Sequence, residues 1–423
     1  MDALEIKSLF KEHMQGNGHL LLPELPLISP KEDSFFTIAA AKAVKDSYQN
    51  AGIPCNPNVC IVQRMFMANQ LEQAGVYPVA TPMEVQMSIF RFADQTPEKM
   101  FSLVLGFLRK IGINIEDLFF ISPGNYNVNE ALENVQFNVA NIVEWHKPMR
   151  YKIGEDIPTG HYGRFCLSYN SGLFPIVDMT FMKDIQNNVL KLEACFYLDR
   201  IYFTLAEKDT WFETPLYMPI VDKIQEQYTS VSEVLVNQTA ILMRSLVALL
   251  GDGLCITPKG YGYVGRKILR QIIVNWYLEI QSILDLTFLV QPTIESLKFM
   301  GYDYSDEKER IVEIIRKEEE LFAANIKDSI KYIKRQIKSN KVEDLLTKET
   351  LLKWKDSRGI PEKIAIGTIK HNCDSNLLLQ VDFNNDFPFN LKMNGYPYLR
   401  NINNPRQWLV DAEKKLYTNK KWI

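Results

Sequence analysis

The sequence lacks the residue patterns that usually hold zinc, and it lacks the segments that enter membranes. None of its six cysteines forms a CxxC pair, and its five histidines do not lie at metal-ligand spacing from one another or from cysteine. No zinc is therefore expected. No stretch approaches the roughly 20 apolar residues of a membrane span, and the N-terminal segment has no apolar signal core. These absences predict a cytoplasmic protein with no membrane partner.

An even number of cysteines leaves a disulfide set arithmetically open. The cysteines are scattered through apolar or mixed segments, and the chain has 423 residues without a recognisable secretory leader. Reduced, buried thiols are the favoured interpretation in a chain of this kind.

A strong net charge is also missing. The 48 Lys and Arg nearly balance the 51 Asp and Glu, which gives a formal charge of -3. A strongly basic chain would point to nucleic acid, but recognition of a short RNA segment needs only a local basic face. The charge therefore excludes nothing on the RNA side, and no pattern suggests DNA. The length predicts two or three domains.

The sequence changes character near residue 216. Before that point, alternating or apolar runs predict strands, and helical spacing predicts helices over 3–16, 34–48, 97–113 and 198–208. The predicted strands cover 59–67, 83–92, 118–122, 174–182 and 189–197. After that point, helical periodicity dominates over 218–250, 263–298, 305–340 and 342–354. The charged stretch 306–340 predicts a long amphipathic helix with a solvated face.

Seven short segments resemble, in order, the landmarks of alanyl-tRNA synthetases. None is specific alone, but they keep their order over residues 18–361. They are Gly18-His19 with the following LISP and FFT; Gln63-Arg64 with LEQAGVY; PTGHYG at 158–163; IVDMTFM at 176–182; Leu198-Asp199-Arg200-Ile201; Gly251-Asp252-Gly253 with GYVGRKILR at 262–270; and KDSRGIP at 355–361.

The resemblance implies an α+β protein with a class II synthetase-like antiparallel sheet domain followed by an all-helical domain. It implies a catalytic domain over 1–215 and a helical domain similar to the tRNA acceptor-stem-recognition domain over 216–377. Residues 378–423 form a C-terminal extension of unassigned role.

The ATP pocket that the resemblance implies is altered. The family's phosphate-binding arginine falls at Met67, and its adenine-stacking phenylalanine falls at or beside Val85. Glycines of the third motif are replaced by Cys195-Phe196-Tyr197. Arginine forks suit phosphates in a way that apolar groups do not replace. These changes argue against housekeeping alanylation and leave ATP with Mg²⁺ an open cofactor.

Three residues are the candidate catalytic groups. Arg64 and Arg200 would take phosphates, and Asp178 would hold a substrate amino group. The alternative for Asp178 is a buried carboxylate paired with Arg200 or Arg64, and the two interpretations stay open. His161 and Glu193 complete the predicted substrate-binding set, although a histidine without a catalytic role is the more common case.

The resemblance also implies contacts with a tRNA acceptor stem. Arg266, Lys267 and Arg270 lie on one predicted helix at a spacing that suits phosphates, although a solvated basic face is the common alternative. Asp356 corresponds to a residue that reads the acceptor wobble pair, but its usual asparagine partner corresponds to Pro258. Lys259, Tyr261 and Arg358 could supply other contacts.

Three functions remain open from the sequence. The first is ATP-dependent activation of an amino acid, through an aminoacyl adenylate, or transfer of an aminoacyl group to or from tRNA. The second is a degenerate synthetase paralogue that binds tRNA, aminoacyl-tRNA or a small effector. The third is a transferase that uses charged alanyl-tRNA as donor.

Overall fold

A computed structural model describes most of the chain. The described residues are 1–28, 35–44, 58–72, 74–75, 81–92, 96–122, 128–144, 150–151, 160–169, 172–183, 189–208 and 210–372. The predicted extension 378–423, Pro158 and Thr159 lie outside these ranges.

One mixed sheet of nine strands forms the N-terminal part of the described chain, in the order β1-β2-β3-β9-β8-β7-β4-β5, with β6 on β7. The β1–β2 and β4–β5 pairs are parallel, and the other pairs are antiparallel. The strands are Leu20–Leu21 (β1), Val59–Phe66 (β2), Met83–Arg91 (β3), Leu118–Ser122 (β4), Ile142–Glu144 (β5), Arg150–Tyr151 (β6), Gly160–Tyr169 (β7), Gly172–Lys183 (β8) and Val189–Tyr197 (β9). The predicted strands are confirmed, and their antiparallel centre agrees with the predicted fold class.

Four helices accompany the sheet among the described residues: Ala3–Gly16 (α1), Pro97–Lys110 (α2), Asn129–Asn134 (α3) and Leu198–Leu205 (α4). Alternation along the strands sends one set of side chains towards α1 and α2. There Phe196 of β9 makes edge-to-face contacts with Phe10 and Phe107, at ring-centroid distances of 5.7 and 5.2 Å. This apolar packing forms the core under the sheet.

The predicted helix over 34–48 is wrong in its described part. Residues 35–39 are not helical, and only a 3₁₀ turn at Ala40–Val44 is present. The buried alanines of this turn pack on Ile61 and Phe90 of the sheet. Packing of small residues on a strand surface therefore prevails over the helix preference of alanine.

Over residues 210–372, eight helices follow: Met218–Gln227 (α5), Glu233–Gly251 (α6), Gly262–Ile280 (α7), Val290–Phe299 (α8), Lys308–Ser339 (α9), Val342–Leu345 (α10), Lys348–Arg358 (α11) and Glu362–Asn372 (α12). Helical periodicity predicted this region, but two predicted helices are each divided. Ser232 caps α6 by accepting from Leu235 N, and Gln281 ends α7 in a left-handed conformation. The proposed domain boundaries stay a prediction.

Helix α6 is long and apolar enough to cross a membrane by length and composition alone. However, 83% of its most apolar window is buried inside the protein. That burial is typical of a core helix.

The long charged helix α9 confirms the predicted amphipathic helix. Its first half packs in the main core through Ile311, Ile315 and Phe322. Its second half joins a smaller cluster in which Ile333 packs with residues of α10, α11 and α12. Most other side chains of α9 are exposed or half-buried, but Glu318, Glu319 and Ser329 are buried.

Candidate functional site

One face of the sheet carries polar side chains that are almost completely buried. These side chains lie together because residues that are directly opposite each other on paired strands point to the same face of the sheet. Asp178 is opposite both Arg164 and Cys195, and Ser88 is also opposite Cys195. The buried members of this polar face are Glu84, Gln86, Ser88, Asp178, Thr180, Glu193, Cys195 and Tyr197. Buried polar groups are costly unless they are bonded, so such a face is a natural candidate site.

Asp178 lies at the centre of the polar face. Its Oδ2 accepts a hydrogen bond of 2.5 Å from the Tyr197 hydroxyl, and its Oδ1 lies 3.3 Å from Nε of Arg164. Burial, and the Asp178 carboxylate beside it, raise the pKa of Tyr197 well above its usual value, so the phenol remains a donor. The predicted alternative of a buried paired carboxylate is therefore present, but the ion-pair partner is Arg164 rather than Arg200 or Arg64.

Arg200 lies in the first turn of α4 and pairs with a different carboxylate. Its Nε and Nη2 donate to the two oxygens of Glu84 at 2.9 and 3.0 Å, and Nη1 donates to the Pro175 carbonyl at 3.3 Å. Its guanidinium also lies 3.8 Å from the ring centroid of Tyr197. Although burial opposes it, Glu84 raises the pKa of Arg200 further above its usual value. The fork that suits a phosphate is thus matched to a fully buried carboxylate.

Arg64 is also held, at the contact between the sheet and the helical part. Its Nε lies 2.7 Å from a Glu24 oxygen, and its Nη1 lies 2.7 Å from Oδ1 of Asp252. Nη1 also donates to the Tyr304 hydroxyl, which itself donates to Asp252 at 2.7 Å. The guanidinium stacks over the Tyr302 ring at 4.5 Å. Arg64 therefore joins β2 to the ends of α6 and α8.

Met67 and Val85, the two altered positions of the implied ATP pocket, lie on different sides of the sheet. Met67 packs beside Met65, Cys195 and Tyr197, next to the polar face. Val85 lies in the main core on the opposite face, and its N–H donates to Oδ2 of Asp199 at 3.0 Å. Val85 therefore does not face the polar groups.

The three residues that replace the third-motif glycines also separate. The side chains of Cys195 and Tyr197 lie on the polar face, whereas that of Phe196 lies on the opposite face, in the main core. Asp199, which follows, is fully buried and lies 2.6 Å from Nη1 of Arg244. Only Tyr197 fills space beside Arg200 with a large ring.

The predicted substrate-binding residues are only partly brought together. Glu193 is buried on the polar face opposite Thr180 of β8. His161 of β7 pairs with Phe181 of β8, so strand alternation directs it away from the face of Asp178. The structure thus joins Glu193 to Asp178 and leaves His161 outside that group.

The predicted RNA-binding residues of α7 are engaged in ion pairs. Nε of Arg266 lies 2.8 Å from Oε1 of Glu318, and Nη2 of Arg270 lies 2.6 Å from the same oxygen. Lys267 lies 3.1 Å from Glu72 and is 41% exposed. The two arginines therefore fasten α7 to α9, while the lysine keeps contact with solvent.

Asp356 and Arg358 are exposed on α11. Arg358 stacks over the Tyr332 ring at 4.0 Å. Lys259 is also exposed, in the segment before α7.

Sequence reasoning missed the partners that occupy the candidate residues. Glu84 is one of them, and its signal was the polar alternation of Glu84, Gln86 and Ser88 along one strand. Asp252, directly after α6, and Glu318, on α9, gave no such signal, because they are far in sequence from the arginines that they contact. Among the described residues, no group of three or more His, Cys, Asp or Glu could hold a metal ion.

Comparison with known proteins supports the likeness from sequence. A family model for tRNA synthetases class II (A) matches residues 178–384. An alanine–tRNA ligase of Pseudothermotoga lettingae is 23% identical over 90% of this chain and 48% of its own length. The corresponding enzyme of Mycoplasma mobile is 23% identical over 81% of this chain and 42% of its own length. That of Listeria welshimeri is 21% identical over 86% and 46%. The chain spans about half the length of the curated relatives that it matches.

Proposed function

Because the chain is a divergent alanyl-tRNA synthetase-like protein, we propose that it binds an amino acid, or an aminoacyl group carried on tRNA, at the polar face of its sheet. We propose further that it does so without forming an adenylate from ATP. This is the second of the three functions that the sequence left open.

The proposal rests on the fact that Arg64 and Arg200 are each already paired with carboxylates of the protein. A phosphate would have to displace Glu84 from Arg200 and Glu24 or Asp252 from Arg64. Displacement would leave the fully buried Glu84 carboxylate without its counter-charge, and an uncompensated buried charge costs about 3–5 kcal/mol. Met67 adds no charge to compensate. ATP with Mg²⁺ is therefore not the ligand that these residues favour.

An ammonium group fits the polar face better than a phosphate does. Asp178 and Glu193 are diagonal neighbours on adjacent strands, and such neighbours lie about 7–8 Å apart, with their Cβ atoms somewhat closer. Carboxylates attract the amino group of an amino acid, and the Ser88 and Thr180 hydroxyls add hydrogen-bonding capacity. Arg164 is the internal cation that an incoming ammonium would displace from Asp178.

A tRNA acceptor stem is the proposed carrier of the aminoacyl group. Lys267, Asp356 and Arg358 are proposed contacts because each is exposed. Arg266 and Arg270 would first have to leave Glu318, so their proposed role is weaker. A transferase that takes charged alanyl-tRNA would use the same surfaces.

Retained ATP-dependent ligase chemistry, with ATP and Mg²⁺, is the second candidate. It is favoured by the position of Arg200 at the start of α4, directly beside the polar face. In that case the Glu84 carboxylate would occupy Arg200 in the free protein, and a phosphate of ATP would displace it.

Two measurements test the proposal together. ATP–pyrophosphate exchange across a panel of amino acids is expected to be absent. Calorimetric titration with the same panel is expected to detect binding that is lost in Asp178→Ala and kept in Asp303→Ala, a change at an exposed carboxylate. Exchange with any amino acid that is abolished by Arg200→Lys would overturn the proposal in favour of the ligase. If the protein bound neither an amino acid nor alanyl-tRNA, both the proposed binding function and the ligase alternative would be overturned.

A further inference from the structure

The second half of α9 and the helices after it carry a net positive charge, although the whole protein is slightly acidic. Residues 321–372 hold twelve Lys and Arg against six Asp and Glu, a formal charge of +6 in a chain whose total is -3. The bulk composition conceals this asymmetry, because the rest of the chain is correspondingly acidic.

Four lysines form a stripe along α9. Lys327, Lys331, Lys334 and Lys338 are all exposed, and successive members are three or four residues apart, so they share one side of the helix. Ile326 and Ile333 face the other side, in the core. With a rise of about 1.5 Å per residue, the stripe is about 16 Å long. We call these four residues the lysine stripe.

The described residues place a carboxylate within ion-pair distance of one lysine of the lysine stripe. Lys331 has Asp328 at 3.9 Å, and both side chains are more than 70% exposed. Among the described residues, no carboxylate lies within ion-pair distance of Lys327, Lys334 or Lys338. The first half of the same helix differs, because Lys317 lies 3.0 Å from Glu313 there. The solvated face of α9 is therefore locally balanced at one end and cationic at the other.

From this stripe we propose that the distal half of α9 binds the phosphate backbone of a structured RNA. Lysine supplies flexible point charges, which suit phosphates and carry no base specificity. A membrane surface fits less well, because among the described residues no large apolar side chain is exposed over 327–338, and interfacial helices need one. The exposed Leu321 and Leu352 lie outside the stripe. An acidic protein fits less well for a similar reason, since protein interfaces are usually anchored by apolar or aromatic side chains.

This surface extends the proposed function by moving the main RNA contact away from α7. Arg266 and Arg270 share Glu318, so they offer little free charge to a phosphate. The inference depends on the proposed function only for the kind of partner. Amino-acid binding at the polar face is measured separately and can succeed or fail alone.

The test compares two quadruple variants in the full chain. The stripe variant carries Lys327→Gln, Lys331→Gln, Lys334→Gln and Lys338→Gln. The control carries Lys110→Gln, Lys223→Gln, Lys298→Gln and Lys317→Gln, four exposed lysines that each have a carboxylate partner. Both lose the same charge, and glutamine keeps helix propensity near that of lysine. Circular dichroism melts check that both variants fold.

Fluorescence anisotropy with a labelled RNA hairpin and with bulk tRNA, over a salt series, gives the readout. The wild type and the control are expected to bind alike. The stripe variant is expected to bind about tenfold or more weakly near 0.1 M salt, with a log–log salt slope smaller by about 3. Wild-type affinity and slope in the stripe variant would overturn the inference. So would binding to phosphatidylserine vesicles without binding to RNA, or binding to neither probe.

Discussion

Arg200 and Glu84 form a two-pronged ion pair between the first turn of α4 and the edge of the polar face. The oxygens of Glu84 accept from Nε and Nη2 at 2.9 and 3.0 Å, and the carboxylate is fully buried. Arg200, which the sequence predicted to bind a phosphate, therefore has a structural role instead. The same exchange of roles occurs at Arg64 and, on α7, at Arg266 and Arg270.

Replacement of Glu84 tests whether this pair stabilises the fold. Glu84→Gln leaves the Arg200 charge buried without a counter-charge, and it should lower the free energy of unfolding by about 3–5 kcal/mol. Urea denaturation measures the change. Glu313→Gln is the control, because its partner Lys317 is 70% exposed and such surface pairs contribute about 1 kcal/mol or less. Equal losses in the two variants would contradict a structural role.

The ion pair of Arg64 with Asp252 should couple the sheet to the helical part. A double-mutant cycle with Arg64→Met and Asp252→Asn is expected to give a coupling free energy of about 1–3 kcal/mol by denaturation. Both side chains are only 12% exposed, so solvent screens the pair weakly. The exposed pair of Lys267 and Glu72 provides the reference cycle, with coupling near zero. Coupling near zero in both cycles would show that the contact carries no stability.

The strands could be predicted from the sequence, whereas these ion pairs could not. Polar and apolar residues alternate locally over Glu84–Ser88, and a strand depends on that local pattern. Glu84 and Arg200 are 116 residues apart, and Arg64 and Asp252 are 188 apart. Which carboxylate meets which arginine depends on register and on how α6 packs against β2. A motif identifies the arginine, but it gives no information on whether its charge is already matched.

Glu319 predicts a fall in stability as pH rises. Burial raises the pKa of this carboxyl to about 8, although its hydrogen bond from Leu286 N favours the charged form. The native state therefore holds a proton that the unfolded chain has already lost above its ordinary pKa of 4.5. The free energy of unfolding should decrease between about pH 4.5 and pH 8 and then level off. The decrease amounts to at most about 1.4 kcal/mol for each unit by which the native and unfolded pKa values differ.

A neutral replacement checks the sign of that prediction. Glu319→Gln keeps an oxygen that can accept from Leu286, so it should match the wild type near pH 5 and exceed it in thermal stability near pH 8–9. Glu313→Gln, at an exposed position on the same helix, should keep the wild-type fall in stability between the two ends of the profile. A wild-type profile with Glu319→Gln less stable at high pH would refute the assignment to Glu319.

Arg164 and Asp178 make opposite predictions for amino-acid binding. Arg164 lies 3.3 Å from the Asp178 carboxylate and is the cation that a ligand ammonium must replace. Arg164→Met removes this competitor, so affinity for an amino acid should rise several-fold, whereas Asp178→Asn removes the anion and should abolish binding. Calorimetric titration of both variants separates the two effects. A charge-independent defect of the polar face would instead weaken binding in both. Equal weakening would therefore show that the face does not bind its ligand through the Asp178 charge.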